Sequence, residues 1–206
     1  MKISMKKEGT LEFVKRTLTK NLFFALALVA VAGFTACSED DEPEAEEVVE
    51  GPEAPFLGTW GLDGAGALGV GPAQGSVEWW NFPQDAVDLR TCAMDDTFTF
   101  AADGVYTIDL GADTWLETWQ AEAEECGAPV APHVSGDYGY SVNEAGTEVT
   151  ITGAGAWIAL AKVTNDGEDG AATSITLNVV SITDTKMVLD IEAGSGVWWT
   201  YNLVKK

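Results

Sequence analysis

Thr97-Phe98-Thr99-Phe100, then Ala101-Ala102-Asp103-Gly104, then Val105-Tyr106-Thr107-Ile108: two runs of alternating polarity flank a turn whose Asp103-Gly104 supplies the positive φ a tight hairpin needs. Alternation of this kind marks a strand with one buried face. The pattern recurs downstream. Tyr138-Gly139-Tyr140-Ser141-Val142 passes through Asn143-Glu144-Ala145-Gly146 into Glu148-Val149-Thr150-Ile151-Thr152, and residues 174–182 turn at Thr183-Asp184-Thr185 into residues 186–191. Residues 197–204 form a last alternating strand. Residues 56–206 therefore read as a single all-β domain, long enough for one real core and too short for two ordinary ones. Only residues 115–125 carry a helical pattern, in which Trp115 and Trp119, four apart, would share one face. Consecutive hairpins must lose their exposed edges, either by closing into an antiparallel up-and-down barrel or by stacking as a β-sandwich, and the barrel is the expectation here.

Gly58-Thr59-Trp60 at the start of this domain resembles the Gly-x-Trp signature of lipocalin-like barrels, in which the tryptophan plugs one end. Lys205-Lys206 closes the last strand near where lipocalins set a basic residue over that tryptophan. A second lipocalin motif is unmatched, because Thr183-Asp184 is followed by Thr185 where an aromatic is expected. The resemblance implies a lipocalin-like barrel.

Upstream, Lys2, Lys6, Lys7, Lys15, Arg16 and Lys20 precede an uncharged apolar run over residues 22–34, too short to span a bilayer core of ~30 Å comfortably. The run ends in Phe34-Thr35-Ala36-Cys37, which resembles the cleavage site of a bacterial lipoprotein signal peptide. Residues 1–36 would be removed and Cys37 acylated, fixing the protein to a membrane by buried acyl chains at ~0.8 kcal/mol per CH₂. Ser38-Glu39-Asp40-Asp41-Glu42 opens an acidic, proline-containing stretch, residues 37–55, that reads as a disordered tether. An acidic run just after the lipidated cysteine resembles the signal by which Bacteroidota send lipoproteins to the outer face of the outer membrane.

From Cys37 onward five basic residues face 31 acids, a formal charge of −26. Such a surface repels phosphate backbones and anionic headgroups, which excludes nucleic-acid binding and leaves neutral or cationic partners. In an oxidising compartment Cys92 and Cys126 form a disulfide that joins the Trp115 to Trp119 region to the segment after Trp80, worth ~3–4 kcal/mol in the chain-entropy model. His133 is the only histidine and lies in a loop, so a metal site is a poor competitor. Asp166, Glu168 and Asp169 lack an EF-hand spacing and read as a solvated turn. No cofactor is implied.

Eight tryptophans are many for this chain, and their spacing is unusual: Trp79-Trp80, Trp115 with Trp119, and Trp198-Trp199. Neighbours on a strand point to opposite faces, so each doublet sends one ring inward and one outward. An outward indole suits the apolar face of a pyranose ring, with Glu78, Asn81, Gln84, Glu117 and Gln120 nearby to bind hydroxyls. Paired acids such as Asp95-Asp96 and Glu124-Glu125 arise by chance in so acidic a chain, and a catalytic triad would need His133 without a nucleophile elbow. The chain reads as a non-enzyme.

Gly69-Val70-Gly71-Pro72 before Trp79-Trp80, Asp95-Asp96-x-Phe98-x-Phe100-x-x-Asp103-Gly104, Thr114-Trp115-Leu116-Glu117-x-Trp119-Gln120, Cys126-Gly127-Ala128-Pro129 with Ala131-Pro132-His133, and Trp198-Trp199 together resemble a domain of Bacteroidota surface lipoproteins. That domain is associated with glycan-utilisation loci and β-glucan-active enzymes. The resemblance implies capture of a neutral polysaccharide such as a β-glucan by Trp79, Trp80, Trp115, Trp119, Trp198, Trp199, Glu117 and Gln120, on behalf of an outer-membrane transporter or hydrolase. A lipocalin-like carrier of a small apolar ligand and a structural accessory subunit of an outer-membrane complex are the alternatives.

Overall fold

A computed structural model describes Gly51, residues 53–121 and residues 123–206; the segment read as a signal peptide, Cys37 and most of the acidic stretch lie outside these residues. A short 3-10 turn, Ala54–Phe56, leads into strands β1 (Gly58–Leu62), β2 (Leu68–Gly71) and β3 (Trp80–Asn81), followed by helix α1 (Gln84–Leu89). Then come β4 (Thr97–Phe100), β5 (Val105–Asp109), β6 (Thr114–Leu116), β7 (Glu125–Gly127), β8 (Gly136–Val142) and β9 (Glu148–Thr152). The chain finishes with β10 (Val163–Thr164), β11 (Gly167–Glu168), β12 (Ser174–Ile182), β13 (Lys186–Glu192) and β14 (Trp198–Lys205).

Eight strands pair antiparallel in the order β1-β4-β5-β8-β9-β12-β13-β14, and β14 returns to pair with β1. The sheet is thus a closed, lipocalin-like up-and-down barrel and not a sandwich. The opening hairpin has the expected register, Phe98 opposite Ile108 and Phe100 opposite Tyr106, with all four side chains buried. Of its turn residues it is Gly104 that takes the positive φ, 79°.

The two ends of the barrel differ. At one end the connections are tight turns after β4, β8 and β12; the described chain enters there, and β14 ends there. Trp60 plugs this end. Its indole N–H donates to the Phe56 carbonyl at 2.7 Å, and Lys205 Nζ lies 5.4 Å from the ring centroid, the arrangement that the lipocalin resemblance implies. At the other end three of the four connections are long, spanning residues 63–96, 110–135 and 153–173, while residues 193–197 form a short turn from β13 to β14. Here β2 continues along β14 where β1 leaves it, but its far side pairs with β3 and not with β4. The sheet therefore splits at this end.

The connection after β9 turns inward. Ala156, Trp157, Ile158, Ala159, Leu160 and Ala161 are all buried, and the Tyr106 hydroxyl donates to the Trp157 carbonyl at 3.1 Å. The Trp157 ring meets Phe98 edge-on at 5.9 Å and His133 at 5.7 Å. This apolar segment packs into the barrel's core and caps its open end. One sequence expectation needs correction. Residues 115–125 are not helical: Trp115 sits on β6, opposite Cys126 on β7, and residues 118–120 form a turn. The two acidic doublets and the 166–169 turn do not form a metal-binding cluster, and among the described residues no group of three or more His, Cys, Asp or Glu side chains could hold an ion.

Candidate functional site

At the split end of the barrel lies a cavity of ≈ 350 Å³ lined by Leu68 and Val70 from β2, Trp79 and Trp80 at β3, Arg90 after α1, Glu117 after β6, Leu160 and Lys162 from the inward segment, Glu168 on β11 and Trp199 on β14. Its walls come from seven separate connections and strands. Each is positioned by an identifiable contact.

Trp79 and Trp80 are carried by the loop of residues 72–79, which folds back over its own strand. Gly69 and Gly71 permit this: a Cβ at Gly69 would lie 2.2 Å from Val77, and one at Gly71 would lie 2.2 Å from Ser76. Buried Asp190 on β13 holds the loop from beneath, accepting hydrogen bonds from Gln74 at 3.3 Å and Asn178 at 2.9 Å. The doublet then alternates as strand geometry demands. Trp79 is 55% exposed at the rim, while Trp80 turns in against Phe82 at 5.5 Å and Trp199 at 6.1 Å.

Two cations flank the cavity, each laid on an indole and each facing a carboxylate. The Arg90 guanidinium is 4.1 Å from the Trp115 centroid and donates to Glu124 at 3.1 Å. Lys162 Nζ is 4.9 Å from the Trp199 centroid and 3.7 Å from Glu168, which also accepts the Trp199 indole N–H at 3.0 Å. Such stacked, partly desolvated cations gain roughly 1–2 kcal/mol from the ring quadrupole. Glu117 stands apart. The residue is only 3% exposed, its carboxyl makes no hydrogen bond or ion pair among the described residues, and its backbone N–H is fixed by Gln120 Oε1 at 3.0 Å. Burial pushes the Glu117 carboxyl up to about 7, with Lys162 and Arg90 pulling the other way and Glu124 and Asp169 reinforcing the rise.

Asp96, just before β4, is also buried; it accepts the Thr114 hydroxyl at 2.7 Å and is pushed by burial to about 7. A carboxyl that holds its proton more tightly folded than unfolded contributes stability fully present near pH 4 and lost as the pH rises to about 7. His133 acts oppositely. Its burial lowers it to about 4, so its contribution is present above about 6.5 and is lost as the pH falls toward 4. The two effects oppose each other below pH 6.5, and a variant separates them. Asp96→Asn, which keeps the shape of the protonated acid, should gain on the wild type by ~2–4 kcal/mol between pH 5 and pH 8 in urea unfolding. A gain that is the same at both pH values would show that Asp96 is not buried as described.

Of the tryptophans singled out in the sequence, the structure brings Trp79, Trp80 and Trp199 to the cavity, together with Glu117. Trp115, 4% exposed, lies beneath Arg90 and supports the site without facing it. Trp119 is half-buried against His133 at 5.1 Å, Trp198 is half-buried on the outer face of β14, and Gln120 fixes the turn that aims Glu117. Cys92 and Cys126 are bonded, with Cα atoms 5.9 Å apart. Arg90, Lys162, Glu168 and Leu160 were not anticipated. The signal that could have marked them is scarcity: residues 56–206 hold only Arg90, Lys162, Lys186, Lys205 and Lys206 as basic residues, and two of them meet here.

No family model and no curated protein matches the chain. Among solved structures it is similar to a lipocalin-like protein from Bacteroides uniformis, at 12% identity and TM-score 0.36, over 74% of this chain and 99% of that one. An uncharacterized protein from Bacteroides eggerthii is similar at 14% identity and TM-score 0.36, over 73% of this chain and 99% of that one.

Proposed function

We propose that this chain is a surface lipoprotein of the outer membrane, anchored through Cys37, that binds a saccharide in the split-end cavity and does not cleave it. The observation that carries the reading is the convergence of Trp79, Trp80 and Trp199 with Glu117, Glu168, Arg90 and Lys162 on one open recess. Flat apolar rings beside charged hydrogen-bonding groups match a sugar's alternating CH faces and hydroxyl rims. Glu168 is engaged on both oxygens, by the Trp199 indole and by Lys162, which suits a fixed acceptor better than a nucleophile or base. Buried aromatic side chains and the inward segment occupy the barrel interior, so the recess at the mouth, not a lumen, offers room for a ligand. An acidic leader after Cys37 supports display on the outer face, where a transporter or hydrolase would receive the glycan.

Affinity electrophoresis against a panel of neutral polysaccharides, β-glucans first, tests this. Wild-type protein should be retarded by at least one, and Trp79→Ala should weaken that retardation by ~10-fold or more, because Trp79 is the exposed ring at the rim. Failure of every saccharide, neutral or amine-bearing, to retard the protein ends the reading, and release of reducing sugar during incubation ends its non-catalytic part.

A further inference from the structure

Given the saccharide reading above, the charges at the cavity leave one group unmatched. Arg90 already faces Glu124, and Lys162 already faces Glu168. Glu117 has no such partner among the described residues, although it is 97% withdrawn from solvent and lines the cavity. Acids thus outnumber bases here, Glu117, Glu124 and Glu168 against Arg90 and Lys162, and the fields of Lys162 and Arg90 at Glu117 do not offset its burial and the repulsion from Glu124 and Asp169. A buried carboxyl without a counterion is costly when ionised. Evidently the protein retains it at the one place where a ligand could supply the missing positive charge.

The surroundings suit a cation. The faces of Trp79, Trp80 and Trp199 attract positive charge, and a chain of formal charge −22 draws cations toward its surface. The structure also displays the geometry in miniature. Lys162 holds a primary ammonium against the Trp199 ring and the Glu168 carboxylate, at 4.9 Å and 3.7 Å.

We infer that the saccharide bound in this cavity carries a protonated amine, and that Glu117 is the residue that pairs with it and selects for it. A neutral sugar gives Glu117 no countercharge and gains at most an ordinary hydrogen bond. An amino sugar lets it ionise against an ammonium, with indole rings excluding water around the pair.

Isothermal titration of the full chain with three β-1,4-linked tetrasaccharides tests this. They share a backbone and differ at C2, bearing a hydroxyl, an acetamide or a free amine. At about 0.15 M salt, which screens attraction to the distant surface, the amine form should bind at least ~10-fold more tightly than the hydroxyl form. Glu117→Gln, which preserves volume and removes a buried charge, should erase that advantage, bringing the affinities for the amine and hydroxyl forms to within about 3-fold of each other. Equal affinity for all three sugars overturns the inference. An amine preference that survives Glu117→Gln does so too, since it then reflects the acidic surface as a whole. If the amine form fails to bind while neutral polysaccharides still retard the protein, the saccharide reading stands and this inference falls. If no sugar of either kind binds, both fall together.

Discussion

Trp157→Ala should lower the free energy of unfolding by about 3–5 kcal/mol, the range for truncating a large aromatic in a packed core. Trp157 is buried at the point where the inward segment meets the barrel wall, edge-on to Phe98 on one side and to His133 on the other. Its backbone carbonyl is held by the Tyr106 hydroxyl, so the segment cannot easily collapse into the space the indole vacates. Little relaxation means a large residual cavity and a cost toward the upper end of the range. Trp157→Phe keeps much of the volume and should cost roughly 1–2 kcal/mol. Urea unfolding followed by circular dichroism gives both values. A loss below ~1 kcal/mol for the alanine variant would mean that residues 156–161 are an ornament on an independently stable barrel and do not form part of its core.

Removing the Cys92–Cys126 bridge should cost about 3–4 kcal/mol, because a link across 34 residues takes that much conformational freedom from the unfolded chain. It should also weaken ligand binding, which a purely entropic staple in a remote loop would not do. Cys92 lies in the 3-10 turn Thr91–Ala93, two residues beyond Arg90, and Cys126 pairs across β6–β7 with Trp115, two residues before Glu117. The bridge therefore holds the guanidinium on its indole and sets the hairpin that delivers the buried carboxyl. Cys126 is solvent-exposed, so dithiothreitol reaches the bond. Reduced wild type and the Cys92→Ala/Cys126→Ala double variant should show the same lowered urea midpoint and, on the saccharide-binding proposal, the same weakened retention on any polysaccharide that retards the oxidised protein. The reductant should leave the double variant unchanged. Full ligand retention after reduction would separate the bridge from the site.

The barrel was legible in the sequence because its information is local. Period-two alternation and turn residues such as Asp103-Gly104 each act within about ten residues, and the three anticipated hairpins pair as read. The inward segment was not legible. Residues 153–161 are small and apolar with no period of two or 3.6, a pattern that fits a buried irregular segment as well as nothing at all. The misreading of residues 115–125 has a simple cause: a three-residue strand is too short to display alternation, while two tryptophans four apart imitate a helical face. Half of the site was visible through its tryptophans. Arg90 precedes Lys162 and Glu168 by 72 and 78 residues and becomes their neighbour only when the sheet closes, which no short-range pattern records.

The contrast between the barrel's two ends also settles a matter of bearing. The described polypeptide enters beside Trp60, at the pole sealed by short reversals, and the recess opens at the opposite pole. A ligand therefore reaches the recess from the pole opposite the one where the described chain begins, without having to pass the short turns or the Trp60 plug.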